Sequence, residues 1–585
     1  MAQLAAALKI GSLAGVGAQT EAFAKLEAIE DTAEAAIARR RSNGVLRRAV
    51  KAWQRGDVVR AGQLSLEATN ADPKNAPAFH VLGMALEKMG HQHKALVTYE
   101  HAFALDPADP ELLINLGLTA WNLDMKDGAE KMFRLFIAAR PDSPLGYNNL
   151  GSIQCDMGKE TVAIETLRGA ITQMPQEKIL WNSIATVLAE VGRADESLIF
   201  YQEAIRLDPG FSRPYHNLGY AFQHLGRLSE ALEVYDEALR RTNDETELRE
   251  GHHSRSICLI GMGRLEEGFR TYEVRNDQRF RAYVHHVTKA PIWKNEPLAG
   301  KRILLVGEQG LGDEFMFANI LPDVQRAVGQ QGKLQIAVDK RLVPLFARSF
   351  PDAQVGAYDD RQMTTPDGKK ELRFIPWATE TSEPDFFAPM GTALQYLRKS
   401  LEDFPHEAFL TPDMQRRNAL RAQLESFGPG PYVGICWRSM VLGQKRSKYY
   451  SPLDSWGPIF KTPGVTFVNL QYGDCKEEIA RAEAQHGIKI QVIDGLDLKN
   501  DIDGAAALSA AVDLVISAPT AAAATAGAVG AEVWFLTAGR TWPQLGTEEF
   551  PWYARSRVFS PEKFADWAQL MPQVGSALGD YSRSY

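Results

Sequence analysis

At 585 residues the chain has room for three or four domains that each bury a core, and 45% hydrophobic with 24% charged residues excludes a disordered or fibrous protein. A formal net charge of −8 without a long basic run argues against a nucleic-acid partner, and no apolar stretch is long enough to span a bilayer. The four cysteines, Cys155, Cys258, Cys436 and Cys475, have no CxxC spacing and no histidine cluster nearby, which points to a reducing compartment and away from a structural metal.

The first residues, MAQLAAALKIGSLAGVGAQ, lack a basic leading segment, and Lys9 interrupts the apolar run, so they read poorly as an export signal. Residues 1–41 are expected to be a helical or flexible lead-in ending in Arg39–Arg41, and the expected location is cytoplasmic. From about Ser42 a period of 34 residues sets in. Small residues recur in step at Gly83, Gly117, Gly151, Ala185 and Gly219, and again at Ala95, Ala129, Ala163, Ser197 and Ala231. Prolines recur at 73, 107, 141, 175 and 209, and large residues at Tyr99, Phe133, Leu167, Tyr201 and Tyr235.

This pattern resembles the tetratricopeptide repeat (TPR), a helix–turn–helix unit whose small residues sit where two helices cross closely. Six repeats run in register over 42–245, and an irregular seventh (Gly263, Tyr272) follows a three-residue slip, placing the array at 42–280. Such arrays line a concave groove with the first helix of each pair. Asn115, Asn149 and Asn217 share one position on that helix, and Asn148 and Asn182 lie one residue earlier. Their amides could hold the backbone of an extended protein client, although Asn also simply suits that repeat position.

A junction closes at Pro291-Ile-Trp293 and Pro297, after which strand-like and helix-like runs alternate. Strands are predicted at Ile303–Val306, Leu334–Val338 and Val355–Tyr358, with helices near 341–350 and 391–401. The linker Ser426-Phe-Gly-Pro-Gly-Pro431 precedes a second series at Tyr432–Trp437, Thr466–Leu470, Lys489–Ile493, Leu514–Ser517 and Val533–Thr537. Two doubly wound halves, 281–428 and 429–585, the second closing on a C-terminal helix, would enclose a cleft whose walls are strand ends.

The stretch Arg302–Phe317, RILLVGEQGLGDEFMF, concentrates the chemistry. A short apolar strand ends at Gly307, Gly310 and Gly312 permit a sharp turn, and Glu308, Asp313 and Glu314 follow at the strand's carboxyl end. The glycines run GxxGxG, so the GxGxxG dinucleotide fingerprint fails in order, and Asp339 alone does not rescue it. Asp313 reads as a general base or as a helix N-cap, with Glu308 behind it and Glu314 a natural first-turn acid. In the second half WRSMVLGQKRSK places Arg438, Lys445, Arg446 and Lys448 after a strand end, as a phosphate clamp or a solvated basic loop.

GEQGLGDE at 307–314, CWRS at 436–439, LQYGD at 470–474, DLVIS at 513–517 and FPWY at 550–553 resemble bacterial heptosyltransferase-like glycosyltransferases. With the array in front, the chain is similar to the flagellin-modifying members of that group. The resemblance implies an α-helical TPR superhelix followed by an α/β GT-B fold of two Rossmann-like lobes. It implies a cytoplasmic, metal-independent protein O-glycosyltransferase with no cofactor beyond a nucleotide-sugar donor. Flagellin would be recognised through Asn115, Asn149, Asn182 and Asn217. Asp313 matches the family's base. Gly310, Gly312, Arg438, Ser439, Arg446, Lys448, Gln471, Tyr472 and Thr520 would form the donor site, with Trp542 and Tyr553 as stacking candidates. The family pattern Asp-Thr-x₃-His reads Pro519-Thr520-Ala-Ala-Ala-Ala524 here, so an acid and an imidazole are missing. An aspartate would repel a donor carboxylate, so this departure favours CMP-pseudaminic or CMP-legionaminic acid. The alternatives are a UDP-N-acetylglucosamine-type transferase and a client-binding protein with a vestigial transferase region.

Overall fold

A computed structural model describes residues 33–280, 282–308, 310–365, 368–379, 383–440 and 444–585; of the lead-in expected over 1–41, residues 1–32 lie outside them. The chain divides into two compact units, Met1–Val187 with Gln362–Lys370, and Leu188–Arg361 with Glu371–Tyr585.

The first unit holds the helix pairs Ala33–Gln54/Val58–Ala71, Ala76–Lys88/Gln92–Leu105, Pro110–Asn122/Lys126–Ala139 and Pro144–Asp156/Glu160–Gln173. Its first helix runs straight through the boundary expected at residue 41, because nothing between Ala33 and Ser42 breaks a helix and the repeat period cannot register a longer one. The phase of small and large residues has a direct steric cause. A Cβ on Gly83 would lie 2.5 Å from the Tyr99 ring, and one on Gly117 would lie 2.6 Å from Phe133. At Gly151 the clash would be with Leu167, at 2.8 Å. Each large residue fills the space its glycine leaves.

The second unit continues with helices Ala194–Leu207, Ser212–His224, Leu228–Arg241, Glu245–Gly261 and Leu265–Tyr272, then a 3₁₀ turn over Glu273–Asn276. The turn within each helix pair has one residue with positive φ, found at Gly192, Gly226 and Gly263 here and at Gly56, Gly90, Asp124 and Gly158 in the first unit. These positions advance by 34 until Gly226, and the last step is 37. Helix Glu245–Gly261 is 17 residues long where Ser212–His224 has 13, and the connection before it, 242–244, is one residue shorter than 208–211, which together make the three-residue slip; the closing helix is cut to 8.

The strands are β1 (Val284–Val287), β2 (Arg302–Val306), β3 (Lys333–Val338), β4 (Gln354–Ala357), β5 (Asp359–Thr365), β6 (Gly368–Phe374) and β7 (Phe386–Pro389). They continue with β8 (Tyr432–Cys436), β9 (Thr466–Asn469), β10 (Ile490–Gln491), β11 (Leu514–Ser517), β12 (Val533–Leu536) and β13 (Ser556–Phe559). One sheet has the order β4-β3-β2-β7 and another β10-β9-β8-β11-β12-β13, and every pairing in both is parallel. The central strands are buried on both faces, as parallel sheets require: Ile303–Val306 and all of β8 are inaccessible. A small third sheet, β1-β6-β5, escaped the sequence reading because β5 (DDRQMTT) and β6 (GKKELRF) are mostly polar or charged and contain no apolar run. β7 and β13 were missed because four residues give too little pattern to separate a strand from a loop.

Helix Met414–Phe427 reaches into the expected linker and stops at Gly428. Helix Leu311–Phe317 after β2 packs against helix Ala521–Ala528 after β11, so the carboxyl ends of the two parallel sheets face each other. Asn319 Nδ2 donates to the Trp552 carbonyl at 3.0 Å, and Phe317 lies 5.7 Å from the Trp552 ring across the same seam.

Candidate functional site

The loop after β2 is built by three charged side chains that each take a different role. Gly307 must be glycine, since a Cβ there would collide with the Glu314 carboxylate. Gly310, at φ +105°, caps the helix Leu311–Phe317. Glu308 Oε1 accepts from Arg275 Nη2 and from the Gly391 amide, both at 2.8 Å, and Arg275 also donates to Glu273 at 2.7 Å. Burial works against the Glu308 charge, but Arg275 and these hydrogen bonds hold its carboxyl below the usual range. Glu314, fully buried, accepts from Tyr358 Oη at 2.6 Å and from the Asp339 amide at 3.0 Å, and burial nonetheless pushes it up to about 7. Beneath them Arg373 donates to the Gly307 carbonyl at 2.5 Å, pairs with Asp360 and stacks on Tyr358 at 3.6 Å.

Asp313 receives none of this support. It sits inside the first helical turn without capping it, so the N-cap alternative does not apply, and no described residue donates a hydrogen bond to its carboxylate. Burial first, and then the negative Glu308, push its pKa up to about 7 against the pull of Arg275. At neutral pH such a group exists about equally as acid and as base, the poise a proton acceptor needs.

Asp313 lines a cavity of about 570 Å³ between the two sheet ends, together with Gly310 and Gly312. From the second half come Ser439, Arg446, Tyr472, Pro519, Thr520 and Ala524, and Trp542 and Tyr553 complete the wall. Thr520 is the N-cap of helix Ala521–Ala528, as its position after β11 suggested, with its hydroxyl 3.5 Å from Cys436 Sγ. Tyr553 is a core residue more than a stacking platform, with its ring stacked 5.9 Å from Phe535. Among the described lining residues Asp313 is the sole acid, and Arg341, Arg446 and Lys499 carry positive charge. Arg341 was not anticipated. Asp339, considered as a ribose ligand, grips it with two hydrogen bonds of 2.9 and 3.0 Å, and Arg341 Nη1 reaches the Lys499 carbonyl at 3.2 Å.

Four candidates from the sequence are placed elsewhere. Glu308 is held by Arg275, off the cavity wall. Arg438 Nε donates to both oxygens of Glu478 at 2.9 Å and Nη2 donates to the Asp474 carbonyl at 3.0 Å, which turns its charge toward its own lobe. Lys448 Nζ donates to the Glu190 carbonyl at 2.9 Å. Gln471 is a buried brace: its Oε1 accepts from the Trp437 and Arg438 amides, and its Nε2 donates to the Arg438 carbonyl at 2.9 Å. The Lys445 side chain lies outside the described residues.

The repeat asparagines also differ from an open amide ladder. Asn115 Nδ2 lies 2.8 Å from His80 Nε2, and His80 Nδ1 lies 3.2 Å from Asp109. Asn149 and Asn182 are buried, and Asn217 is half-buried. Asn149 accepts from Asn148 Nδ2 at 3.1 Å, and its own Nδ2 has no partner among the described residues. Polar contacts join successive repeats instead: His80 to Asn115 and Asn148 to Ser183 are both 35 residues apart, and His216 to Ser254 is 38, the same step plus the slip. Of the asparagines expected in the groove, Asn115 is spent on such a contact, with His80 of the preceding repeat.

The four cysteines are buried and none is in a disulfide among the described residues, and among these no helix is long and apolar enough to cross a membrane. The tetratricopeptide repeat family matches residues 76–109, 180–211 and 200–233, so the chain carries TPR units. The crystal structure of YrrB, titled a TPR protein with an unusual peptide-binding site, is 20% identical, with 32% of this chain and 96% of that one covered and a TM-score of 0.24. A tetratricopeptide repeat protein from Parabacteroides merdae is 15% identical over 40% of this chain and 89% of its own, with a TM-score of 0.33. Protein FlbA of Caulobacter vibrioides is 39% identical over 577 residues, which cover 98% of this chain and 95% of FlbA. Matched almost from end to end, the chain belongs to the FlbA family.

Proposed function

We propose that the chain is a GT-B protein O-glycosyltransferase, which moves a sugar from a nucleotide donor to a Ser or Thr hydroxyl of a client held by the repeats. The observation that carries this reading is the cavity in which one unsupported acid, Asp313, stands among Arg341, Arg446 and Lys499. In the proposed step the acceptor oxygen attacks the anomeric carbon and its proton passes to Asp313. The bond between that carbon and the donor phosphate oxygen breaks, and the electron pair leaves with the phosphate. The cations and the helix N-terminus at Thr520 stabilise the negative charge that develops there.

The donor is proposed to be a CMP-linked nonulosonic acid, pseudaminic or legionaminic. With Arg341 paired to Asp339, Arg446 and Lys499 are the lining cations with no carboxylate partner among the described residues, one for the phosphate and one, Arg446, to grip the donor carboxylate, and Pro519 puts no opposing charge on the wall. The client is proposed to be flagellin, modified in the cytoplasm before export, on the strength of the sequence resemblance above. One observation favours a second reading: Pro519 and Ala524 line the cavity where heptosyltransferases carry an acid and a histidine, as in a vestigial transferase that only binds a client.

Purified full-length chain incubated with unmodified flagellin and CMP-pseudaminic acid should add the sugar mass to flagellin. Calorimetry should rank CMP above UDP and ADP. Preference for UDP moves the donor to UDP-N-acetylglucosamine, and no nucleotide binding at all establishes the client-binding reading in its place.

A further inference from the structure

The basic loop after β8 does not stand on its own lobe. Arg446 and Tyr450 line the 570 Å³ cavity, while Lys448 and Tyr449 between them contact the repeat helices. Lys448 Nζ donates at 2.9 Å to the carbonyl of Glu190, the last residue of helix Lys178–Glu190, where carbonyls lack helical partners and a cation is favoured. Tyr449 Oη lies 2.7 Å from His224 Nε2 and 3.2 Å from Tyr220 Oη, and His224 Nδ1 lies 2.8 Å from the Tyr220 carbonyl.

The proton positions follow from the acceptors. A carbonyl can only accept, so Nδ1 carries the His224 proton and Nε2 is the acceptor. Tyr449 therefore donates to His224, and Tyr220 donates to Tyr449. Burial keeps His224 neutral, with its pKa lowered to about 4, so this arrangement holds at neutral pH. Phe564 packs edge-on against Tyr449 at 5.5 Å and lies 5.4 Å from His224, which confines both rings.

We infer that the TPR helices form a working part of the donor site: Tyr449 and Lys448 are positioning residues that hold Arg446 at the cavity through Tyr220, His224 and Glu190. A second cavity of about 340 Å³, lined by Tyr220, His224, Tyr449 and Tyr450, adjoins this cluster and shares Tyr450, Pro519 and Trp542 with the first. The array is then required for donor binding as well as for the client.

This inference rests on the transferase reading, and the test separates the two. In the full chain, Tyr449→Phe keeps the ring and removes the hydroxyl. Its Kd for the nucleotide that wild type binds best, among CMP, UDP and ADP, should rise about tenfold, in keeping with one lost hydrogen bond between neutral groups. The donor KM should rise with it while kcat at saturating donor stays within about twofold, and amide exchange over 446–452 should quicken. Tyr449→Phe combined with His224→Phe should bind no worse than either change alone. Should Tyr449→Phe fail to fold, Lys448→Met supplies the same readouts. A wild type that binds nucleotide beside a variant that binds equally well overturns the inference and leaves the transferase reading intact. A wild type that binds no nucleotide overturns both.

Discussion

The loop after β2 and the loop after β8 solve the same problem with opposite charges. In the first, Glu308 is committed to Arg275 and Glu314 to Tyr358, and only Asp313 is left without a partner in the cavity. In the second, Arg438 is committed to Glu478 and Lys448 to Glu190, and Arg446 reaches the cavity. Among the described residues, each loop spends most of its charged side chains on holding itself in place and presents one. The difference lies in depth: the acid loop is anchored by buried ion pairs, the basic loop by contacts nearer the surface. Burial raises the pKa of an acid, whereas an arginine keeps its charge at either depth.

The largest expected effect breaks the first half of this comparison. Asp313→Asn should slow sugar transfer by roughly 10²–10⁴-fold in a quenched mass assay while the fold is kept. Its stability should report the same burial. The Asp313 pKa is raised from 3.8 to about 7, so the wild type is penalised as the pH climbs from about 4 through 7 and the side chain must ionise. The melting temperature of Asp313→Asn should therefore gain on wild type across that window and keep its lead above it. Wild-type transfer should fall about tenfold per pH unit below 7, as the base is protonated.

The next effect compares the anchors. Arg275→Met leaves Glu308 buried without its cation and should cost about 3–5 kcal/mol in denaturant unfolding. Arg438→Met, whose partner Glu478 is partly exposed, should cost about 1 kcal/mol or less. Equal losses would remove the distinction in depth. The smallest effect belongs to the repeats. Asn149→Ala deletes a buried amide nitrogen that has no partner among the described residues together with the oxygen that accepts from Asn148, and the two offset, so stability should change by less than about 1 kcal/mol. A larger loss would mean that the Asn148 contact matters more than its geometry suggests.

The repeats were legible in the sequence because their contacts are local and periodic. Gly83 meets Tyr99 and Gly117 meets Phe133 at one spacing, so a single steric rule, repeated, left a phase that could be counted. The cores of the parallel strands were legible too, as short apolar runs that end at glycine or a turn. Asp313 could be selected as an acid at a strand end, and Thr520 as the residue opening a helix.

The sequence alone thus determined the repeat register, the strands of the two parallel sheets apart from β7 and β13, and the type of residue brought to the cavity. Only the tertiary structure decided which of several similar charges stays available. Glu308, Asp313 and Glu314 are acids within one turn, and they differ because Arg275, 33 residues before Glu308, and Tyr358, 44 after Glu314, reach two of them. Arg438 and Arg446 are alike in sequence until Glu478, 40 residues on, captures the first. Availability depends on partners at irregular distances along the chain, and no period or local propensity records where those partners fall.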